Sequence, residues 1–349
     1  MDADKFDTLL APGADLSGHA DVMLHHLNGA MDAGHSGRGM LEHLVEALPH
    51  QTIATFNSDK LVDFRSHRPW LSFSDWKFTE VEMPEIRLDL LSDDNDRNFL
   101  VLHGPEPDAQ WNLFLDTIQE IVRRLGVRQT VGVTGMPAGV PHTRPTPVHM
   151  HGARSESLPK QPKMVGEMLL PAGMDQLIEF TLGQAGLDAV GIIAAVPYYL
   201  AEGDYPPAAA ALMSAVAAKT GLALPVGDIE AASTLTLGQI NQMVEQSEEA
   251  EHIVEILEQH FDEAEPMAII ETPEEPLPTA EELGARLEEF LKRTDRLNRG
   301  AKLSNLDEEL PPVGDASGIS SLRDTPYEKR NIEQFRPRRG RHRRDTPED

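Results

Sequence analysis

Apolar and amphipathic segments alternate over the first two thirds of the chain. Short runs with the length and apolar character of buried strands lie at residues 21–27, 127–133 and 187–196. Between them, apolar residues recur at helical spacing, most clearly over residues 111–125. Strands that alternate with helices are typical of a largely parallel sheet covered by helices on both faces. The pattern therefore predicts an α/β fold, with one domain over residues 21–224 that follows a polar leader at residues 1–20.

Two segments of this domain depart from the alternation. Residues 60–80 carry Trp70 and Trp76 among proline and charged residues, and we expect an irregular excursion there. Residues 134–147 are rich in glycine and proline, and we expect a long loop. Ser36 follows a glycine-rich turn and is the expected N-cap of the first helix.

The remainder of the chain is predicted to be helical and then unstructured. A heptad pattern has a seam formed by Ile240, Met243, Val254, Leu257 and Phe261. This seam can pack against the α/β domain or against another subunit. We expect a helical extension over residues 225–265, a linker and capping helix over residues 266–301, and a disordered tail over residues 302–349.

The charge of the chain is strongly negative and unevenly distributed. With 31 Lys and Arg against 58 Asp and Glu, the formal net charge is -27, so we expect the body to repel nucleic acid and anionic membranes. The tail has the opposite sign, because six arginines lie between Arg336 and Arg344. This arm can fold back onto the acidic body, bind an acidic partner or contact nucleic acid.

Composition also limits the chemistry and the cellular setting. The absence of cysteine excludes disulfides, thiol nucleophiles and cysteine-ligated metals. The acidic first residues lack the features of a secretory signal, and the longest apolar run is shorter than the ~20 residues of a membrane helix. We therefore expect a cytoplasmic protein without a membrane segment.

Polar side chains cluster in four loops that follow predicted strands. In parallel sheets, ligands bind beyond the carboxyl ends of the strands, where such loops converge. The candidate ligand-binding residues in these loops are Asp32, His103, Glu106, His142, Arg144 and Tyr198. Arg144 is the candidate anion clamp, and His103 and Glu106 are the candidates for proton transfer. The same residue types also cap helices and stabilise turns, so both interpretations stay open.

No complete catalytic or metal-binding motif accompanies these residues. The glycine-rich turn over residues 29–36 has His35 where a phosphate-binding loop needs lysine, and its glycines do not match the dinucleotide fingerprint. The histidine spacing matches no zinc signature, and no Gly-x-Ser-x-Gly elbow occurs. We therefore assign no catalytic residue, no cofactor and no metal, and an enzymatic role is not favoured.

Four motifs of the predicted domain carry a family likeness. They are Asn28-Gly-Ala-Met-Asp-Ala-Gly34, His103-Gly-Pro-Glu-Pro-Asp108 with Trp111 behind it, Gly135-Met-Pro-Ala-Gly-Val-Pro-His-Thr-Arg-Pro145, and Val196-Pro-Tyr-Tyr-Leu200. Together they resemble the proteasome assembly chaperone 2 family in its long bacterial form, over residues 15–260. The resemblance implies a fold similar to that of nucleoside phosphorylases, and homo-oligomers with a trimer as an expected form.

The resemblance also implies two alternative functions. Eukaryotic relatives are non-enzymatic chaperones that help to order proteasome subunits. The leading hypothesis is therefore a protein-binding, assembly-chaperone-like protein whose partners are copies of itself and an unidentified protein. The alternative, suggested by the similar folds, is an enzyme or sensor that binds a nucleoside or phosphorylated ligand in the cleft at the strand carboxyl ends. Fold alone does not decide between them.

Overall fold

The computed structural model describes residues 8–29, 31–154, 158–159 and 169–263. The predicted linker and capping helix at residues 266–301 and the predicted disordered tail at residues 302–349, with its arginines from Arg336 to Arg344, lie outside the described residues.

Strands and helices alternate along the described ranges. The strands are β1 (Val22–Asn28), β2 (His50–Thr55), β3 (Trp70–Ser74), β4 (Lys77–Glu82), β5 (Arg87–Ser92), β6 (Asn98–Pro105), β7 (Gln129–Ala138), β8 (Val148–Gly152) and β9 (Asp188–Pro197). The α-helices are α1 (Ser36–Ala47), α2 (Ser58–Leu61), α3 (Trp111–Leu125), α4 (Met174–Gln184), α5 (Pro206–Thr220), α6 (Val226–Val244) and α7 (Glu248–Glu263). Short 3-10 helices follow β1 and β9, at Ala33–His35 and Tyr198–Leu200.

Seven of the strands within the described ranges form one sheet, in the order β2-β5-β6-β1-β7-β9-β8. Strands β6, β1, β7 and β9 are parallel to one another, whereas β2, β5 and β8 join through antiparallel pairs. The central strands are nearly continuous apolar runs because helices cover both faces of the sheet. The predicted α/β fold is therefore confirmed, with a parallel centre and antiparallel edges.

Two hydrophobic cores lie on opposite faces of this sheet. On one face, α1 and α5 pack through completely buried residues such as Met40 and Met213. On the other face, α3 and α4 pack through residues such as Phe114 and Ile178. Full burial of one side chain of this size stabilises the fold by about 1.5–3 kcal/mol. The two layers hold the sheet, and therefore the ends of its strands, in a fixed arrangement.

The C-terminal helices α6 and α7 follow this domain and are separated by a break at residues 245–247. The heptad pattern does not predict this break. At the break, the Ser247 hydroxyl accepts a hydrogen bond from the Ala250 backbone N–H at 3.3 Å and so caps the start of α7. Among the seam residues, Ile240, Val254 and Leu257 are buried, and Met243 and Phe261 are partly buried.

The predicted irregular excursion over residues 60–80 is wrong. Strands β3 and β4 form an antiparallel hairpin there, joined by Asp75 and Trp76. Both turn residues are left-handed, with φ of 49° and 61°. Two-residue hairpin turns require this conformation and usually obtain it with Asn-Gly, so the Asp-Trp pair carries no turn signal in the sequence.

Candidate functional site

The four predicted loops begin at one edge of the sheet. In the parallel register, Asn28 at the end of β1 pairs with Pro105 at the end of β6, and Ala138 of β7 pairs with Pro197 of β9. The carboxyl ends of four neighbouring strands therefore lie side by side. The candidate side chains are distributed along this edge, and most of them bind groups of the protein itself.

Asp32 joins three elements at the centre of the edge. Its carboxylate accepts hydrogen bonds from the backbone N–H groups of Gly37 (2.9 Å) and Arg38 (3.0 Å) at the start of α1, and from Gly135 of β7 (2.8 Å). Burial opposes its ionisation, but the hydrogen bond and charge of His26 and the two helix N–H groups hold the pKa of Asp32 below its ordinary value. The Asp32 side chain therefore satisfies the first backbone N–H groups of α1, whereas the Ser36 predicted as N-cap is the first residue of the helix and follows His35 at the N-cap position.

His103 and Glu106 have separate partners. The Nε2 atom of His103 lies 2.8 Å from the carboxylate of Asp89 on the neighbouring antiparallel strand. Glu106 accepts the backbone N–H of Met174 at the start of α4, and its own backbone N–H donates to Asn28 at 3.0 Å. The two candidates for proton transfer are therefore not hydrogen-bonded to each other, and each links neighbouring elements.

His142 connects the loop after β7 with α6. Its neutral ring accepts the Tyr199 hydroxyl at Nδ1 (2.7 Å) and donates from Nε2 to the Asn241 side chain (3.0 Å). Burial lowers the pKa of the His142 imidazole and raises the pKa of the Tyr199 hydroxyl. Tyr198 stands edge-on against Tyr199, with ring centroids 5.5 Å apart, and burial raises its pKa as well. These aromatic groups form a packed junction between the loop and α6.

Arg144 binds two carboxylates of α7. Its guanidinium holds Asp262 through two hydrogen bonds of 2.9 and 2.6 Å, and a third bond of 3.0 Å reaches Glu258. The hydrogen bonds that Arg144 donates to Asp262 are the main reason that the pKa of Arg144 lies above its ordinary value. Arg144 therefore ties the loop after β7 to α7, and its forked geometry is already used within the chain.

A buried polar network crosses the middle of β1, and the sequence did not predict it. His25 donates from Nδ1 to Asp175 of α4 at 2.7 Å, and His26 on the opposite face donates from Nδ1 to the Val133 carbonyl at 2.8 Å. The Nε2 atom of His26 lies 3.3 Å from Asp32. Burial favours the neutral ring of His26, but the hydrogen bond and charge of Asp32 and the charge of Asp175 hold its pKa above the ordinary value. The sequence signal that could have indicated this network is the pair of adjacent histidines, His25 and His26, in an apolar strand.

The hairpin β3–β4 presents an apolar face to solvent. Directly paired residues of an antiparallel hairpin lie on the same face, and Leu71 pairs with Val81 while Phe73 pairs with Phe78. The ring of Trp76 stands edge-on to Phe73 at 6.2 Å, which places it with this group. The exposed fractions are 54% for Leu71, 51% for Phe73, 79% for Trp76, 70% for Phe78 and 57% for Val81. We name these five residues the apolar hairpin face.

The described part of the chain has neither a metal-binding cluster nor a helix that could span a membrane. No three His, Asp or Glu side chains in it are placed to hold a metal ion. Likewise, none of its helices combines the length and the apolar character needed to cross a membrane.

The described residues form an α/β protein with a mixed seven-stranded sheet, a polar edge of bonded side chains and an exposed apolar hairpin. The chain belongs to the PAC2 family, whose model matches residues 26–244. The predicted resemblance is thereby confirmed. Comparison with proteins of curated function gave no match.

Several solved structures are similar to this chain. A Corynebacterium glutamicum protein of unknown function is 32% identical with a TM-score of 0.68, over 73% of this chain and 96% of that one. A Mycobacterium tuberculosis protein of unknown function is 35% identical with a TM-score of 0.69, over 72% and 90% of the two chains. Another M. tuberculosis protein, described as a proteasome-assembly chaperone homologue, is 24% identical with a TM-score of 0.61, over 67% and 99%, and this likeness concerns the fold alone.

Proposed function

We propose that this chain is a non-enzymatic, assembly-chaperone-like protein of the cytoplasm that forms homo-oligomers, with a trimer as the expected form, and binds a further protein. Membership of the PAC2 family supports an assembly role. The observation that carries the proposal is the apolar hairpin face, whose five large side chains are all more than half exposed.

An exposed face of this composition is unfavourable in an isolated subunit. A two-stranded hairpin on its own is marginally stable in water, and contiguous exposed apolar patches mark interaction sites. Burial of each aromatic side chain in an interface is worth about 1.5–3 kcal/mol before the costs of association. Covering the apolar hairpin face therefore supplies the driving force for binding another protein surface.

Charge leaves the apolar hairpin face as the surface through which two copies of the chain repel each other least. Each chain carries a formal net charge of -27, so copies repel one another over most of their surface. The apolar hairpin face has no charged side chain. The charged residues Glu80 and Lys77 pair with Ser72 and Ser74, and these two pairs lie on the reverse face. Two copies can therefore approach most closely through their hairpins.

Native mass spectrometry and light scattering of the full chain test this proposal. We expect an oligomer for the natural sequence and a shift to monomer for the double substitution Phe73→Ser, Phe78→Ser. The matched control is Trp70→Ser, because Trp70 is 79% exposed but pairs with Glu82 on the reverse face. A monomeric natural chain, or an oligomer that survives the double substitution, would contradict the proposal.

Binding of a further protein is tested with a variant outside the hairpin. We expect a partner that is recovered from lysate with the natural chain and with the Trp70→Ser control to be absent with Leu235→Ser, because the Leu235 side chain of α6 is 71% exposed. Recovery that does not change in any surface variant would count against a specific partner.

The alternative of a phosphorylated ligand receives less support from the geometry. Its anion clamp, Arg144, is occupied by Asp262 and Glu258 of the same chain. Nucleic-acid binding through Arg336 to Arg344 stays a prediction, because those residues lie outside the described ranges.

A further inference from the structure

The outer edge of β4 is an unpaired strand edge in solvent. Strands β3 and β4 form a separate two-stranded sheet, and no third strand joins it within the described ranges. All six residues of β4 are exposed, whereas Ser72 in the middle of β3 is partly buried. The backbone N–H and C=O groups on the outer side of β4 therefore face water and form a template for another strand.

A β-bulge sets the pattern of side chains along β4. The pairing of β3 with β4 shifts by one residue at Thr79, which has no partner in β3. Phe78 and Val81 therefore share the apolar hairpin face although they are three positions apart. The charged residues at the two ends of the strand, Lys77 and Glu82, lie on the reverse face. The apolar residues are thus the second and the fifth of six, a pattern that reads the same from either end.

This pattern is complementary to itself in an antiparallel pair. When β4 of a second copy runs in the opposite direction, Phe78 of each copy lies opposite Val81 of the other. In the same register, Lys77 of each copy lies opposite Glu82 of the other. Apolar pairs and opposite charges at directly opposed positions stabilise antiparallel strands. One such contact therefore gains two apolar pairs and two ion pairs.

Neighbouring registers do not match in this way. A shift by one residue places Phe78 opposite Glu80 or Glu82 and so brings residues of different faces together. A contact about a two-fold axis requires that each residue pair occur twice with the roles of the copies exchanged, and β4 meets this condition. The charges that keep unrelated strands away from an edge here favour a copy of the same strand.

We propose that the outer edge of β4 pairs with the same edge of a second copy, as antiparallel strands about a two-fold axis. The result is a four-stranded sheet, which is stable where a hairpin on its own is marginal. This inference rests on the homo-oligomer of the proposed function and names the backbone edge through which copies join. Because a two-fold contact joins chains in pairs, the expected assembly has an even number of chains, and two trimers would form a hexamer.

Disulfide formation between two single-cysteine variants tests the pairing. The natural chain has no cysteine, so Lys77→Cys and Glu82→Cys each carry one thiol at an exposed position. In the proposed register these two positions of different copies are adjacent, whereas the same position in both copies is separated by about 16 Å. We expect a covalent dimer after oxidation when the two variants are co-expressed, and little from either variant alone.

The matched control applies the same experiment to the other edge of the hairpin. Trp70→Cys and Ser74→Cys lie at the two ends of β3, at exposed positions. They would face each other if two hairpins paired through β3. We expect no covalent dimer when these two variants are co-expressed.

Exchange of charges tests the ion pairs across the contact. Lys77→Glu places carboxylates opposite each other and should weaken the pairing about tenfold. The double substitution Lys77→Glu, Glu82→Lys places opposite charges face to face again and should restore the natural affinity. Light scattering over a concentration series measures it, and the fold should stay intact because both side chains are exposed.

The outcomes separate this inference from the proposed function. An oligomer in which Lys77→Cys and Glu82→Cys give no mixed covalent dimer would overturn the edge pairing and leave the homo-oligomer in place. A covalent dimer in the β3 control, or a double charge exchange that fails to restore the affinity, would also overturn the edge pairing. A monomeric natural chain would instead contradict the homo-oligomer itself.

Discussion

The side chains of the strand β1 and of the hairpin β3–β4 differ in burial and in what covers them. In β1, His25 and His26 are buried almost completely, yet each has a carboxylate of the same chain beside it. In the hairpin, the apolar face is exposed without comparable cover. The buried polar groups are therefore stabilised within one chain, whereas we propose that the apolar hairpin face is covered by another molecule. In that proposal, the residues for folding and the residues for association are separate.

The largest effect on folding is expected from removal of the partly buried Asp175 carboxylate beside β1. Asp175→Ala leaves His25 and the Leu27 backbone N–H without their acceptor and removes a negative charge 3.8 Å from His26, and we expect a loss of about 3 kcal/mol of unfolding free energy. Urea denaturation measures it. Asp116→Ala, at an exposed position of α3, is the control and should change little. If Asp175→Ala lost no more unfolding free energy than the control, the polar network beside β1 would not stabilise the fold, and the contrast with the hairpin would be wrong.

A smaller and local effect is expected where the carboxyl edge meets α7. Arg144→Ala removes the hydrogen bonds to Asp262 and Glu258, so amide hydrogen exchange within α7 should become faster while exchange in the central strands stays slow. Arg123→Ala is the matched control, since Arg123 pairs with Glu120 of its own helix α3. Unchanged exchange in α7 would show that the ion pairs do not hold this helix.

The pH dependence of stability tests the charge of the β1 network. The raised pKa of His26 contributes stability that is complete below the ordinary value of 6.5 and is lost as pH rises through the folded pKa. The lowered pKa values of Asp32 and Asp175 contribute stability that is present above the ordinary value of 3.8 and is lost as pH falls through their folded pKa values. The network therefore stabilises most between pH 3.8 and 6.5.

Two histidine variants are expected to change the pH dependence of stability in opposite directions. The advantage of the natural chain over His26→Gln should shrink as pH rises from 6 to 8 in urea denaturation series, a range chosen about the imidazole pKa. The advantage in unfolding free energy of the natural chain over His142→Gln should instead grow as pH rises, because burial lowers the pKa of His142. Equal slopes for the two variants would mean that His26 is not charged in the fold.

The smallest effect on folding is expected in the hairpin. The double substitution Phe73→Ser, Phe78→Ser should change the unfolding free energy of the monomer by only about 0.5 kcal/mol, because both side chains are mostly exposed. The change in unfolding free energy is measured by thermal unfolding at protein concentrations too low for association. A loss of several times this size would place the hairpin in the folding core and remove the contrast with β1.

The parts of the fold that sequence reasoning found are those with local patterns. The helical spacing of Phe114, Ile118 and Leu125 predicted the buried face of α3, and the apolar runs predicted β1, β7 and β9. The hairpin was missed because Asp75-Trp76 is an unusual left-handed turn. The break before α7 was missed because the seam residues Met243 and Val254 continue the same heptad pattern on both sides of it.

The candidate edge was predictable from topology, but the partners of its side chains were not. Loops after parallel strands converge whatever their sequence, so Asp32, Glu106 and Arg144 were found as edge residues. Their contacts, by contrast, join positions far apart in the chain, such as Arg144 with Asp262 and His25 with Asp175.

The amino-acid sequence by itself determined the α/β class, the acidic charge and the membership of the PAC2 family, because these depend on periodicity, composition and local motifs. Only the tertiary structure decided which polar groups are paired with one another and that an aromatic face stays exposed. Hydrogen bonds and burial depend on distances of a few ångströms between residues that can be more than a hundred positions apart, and chain folding alone sets those distances.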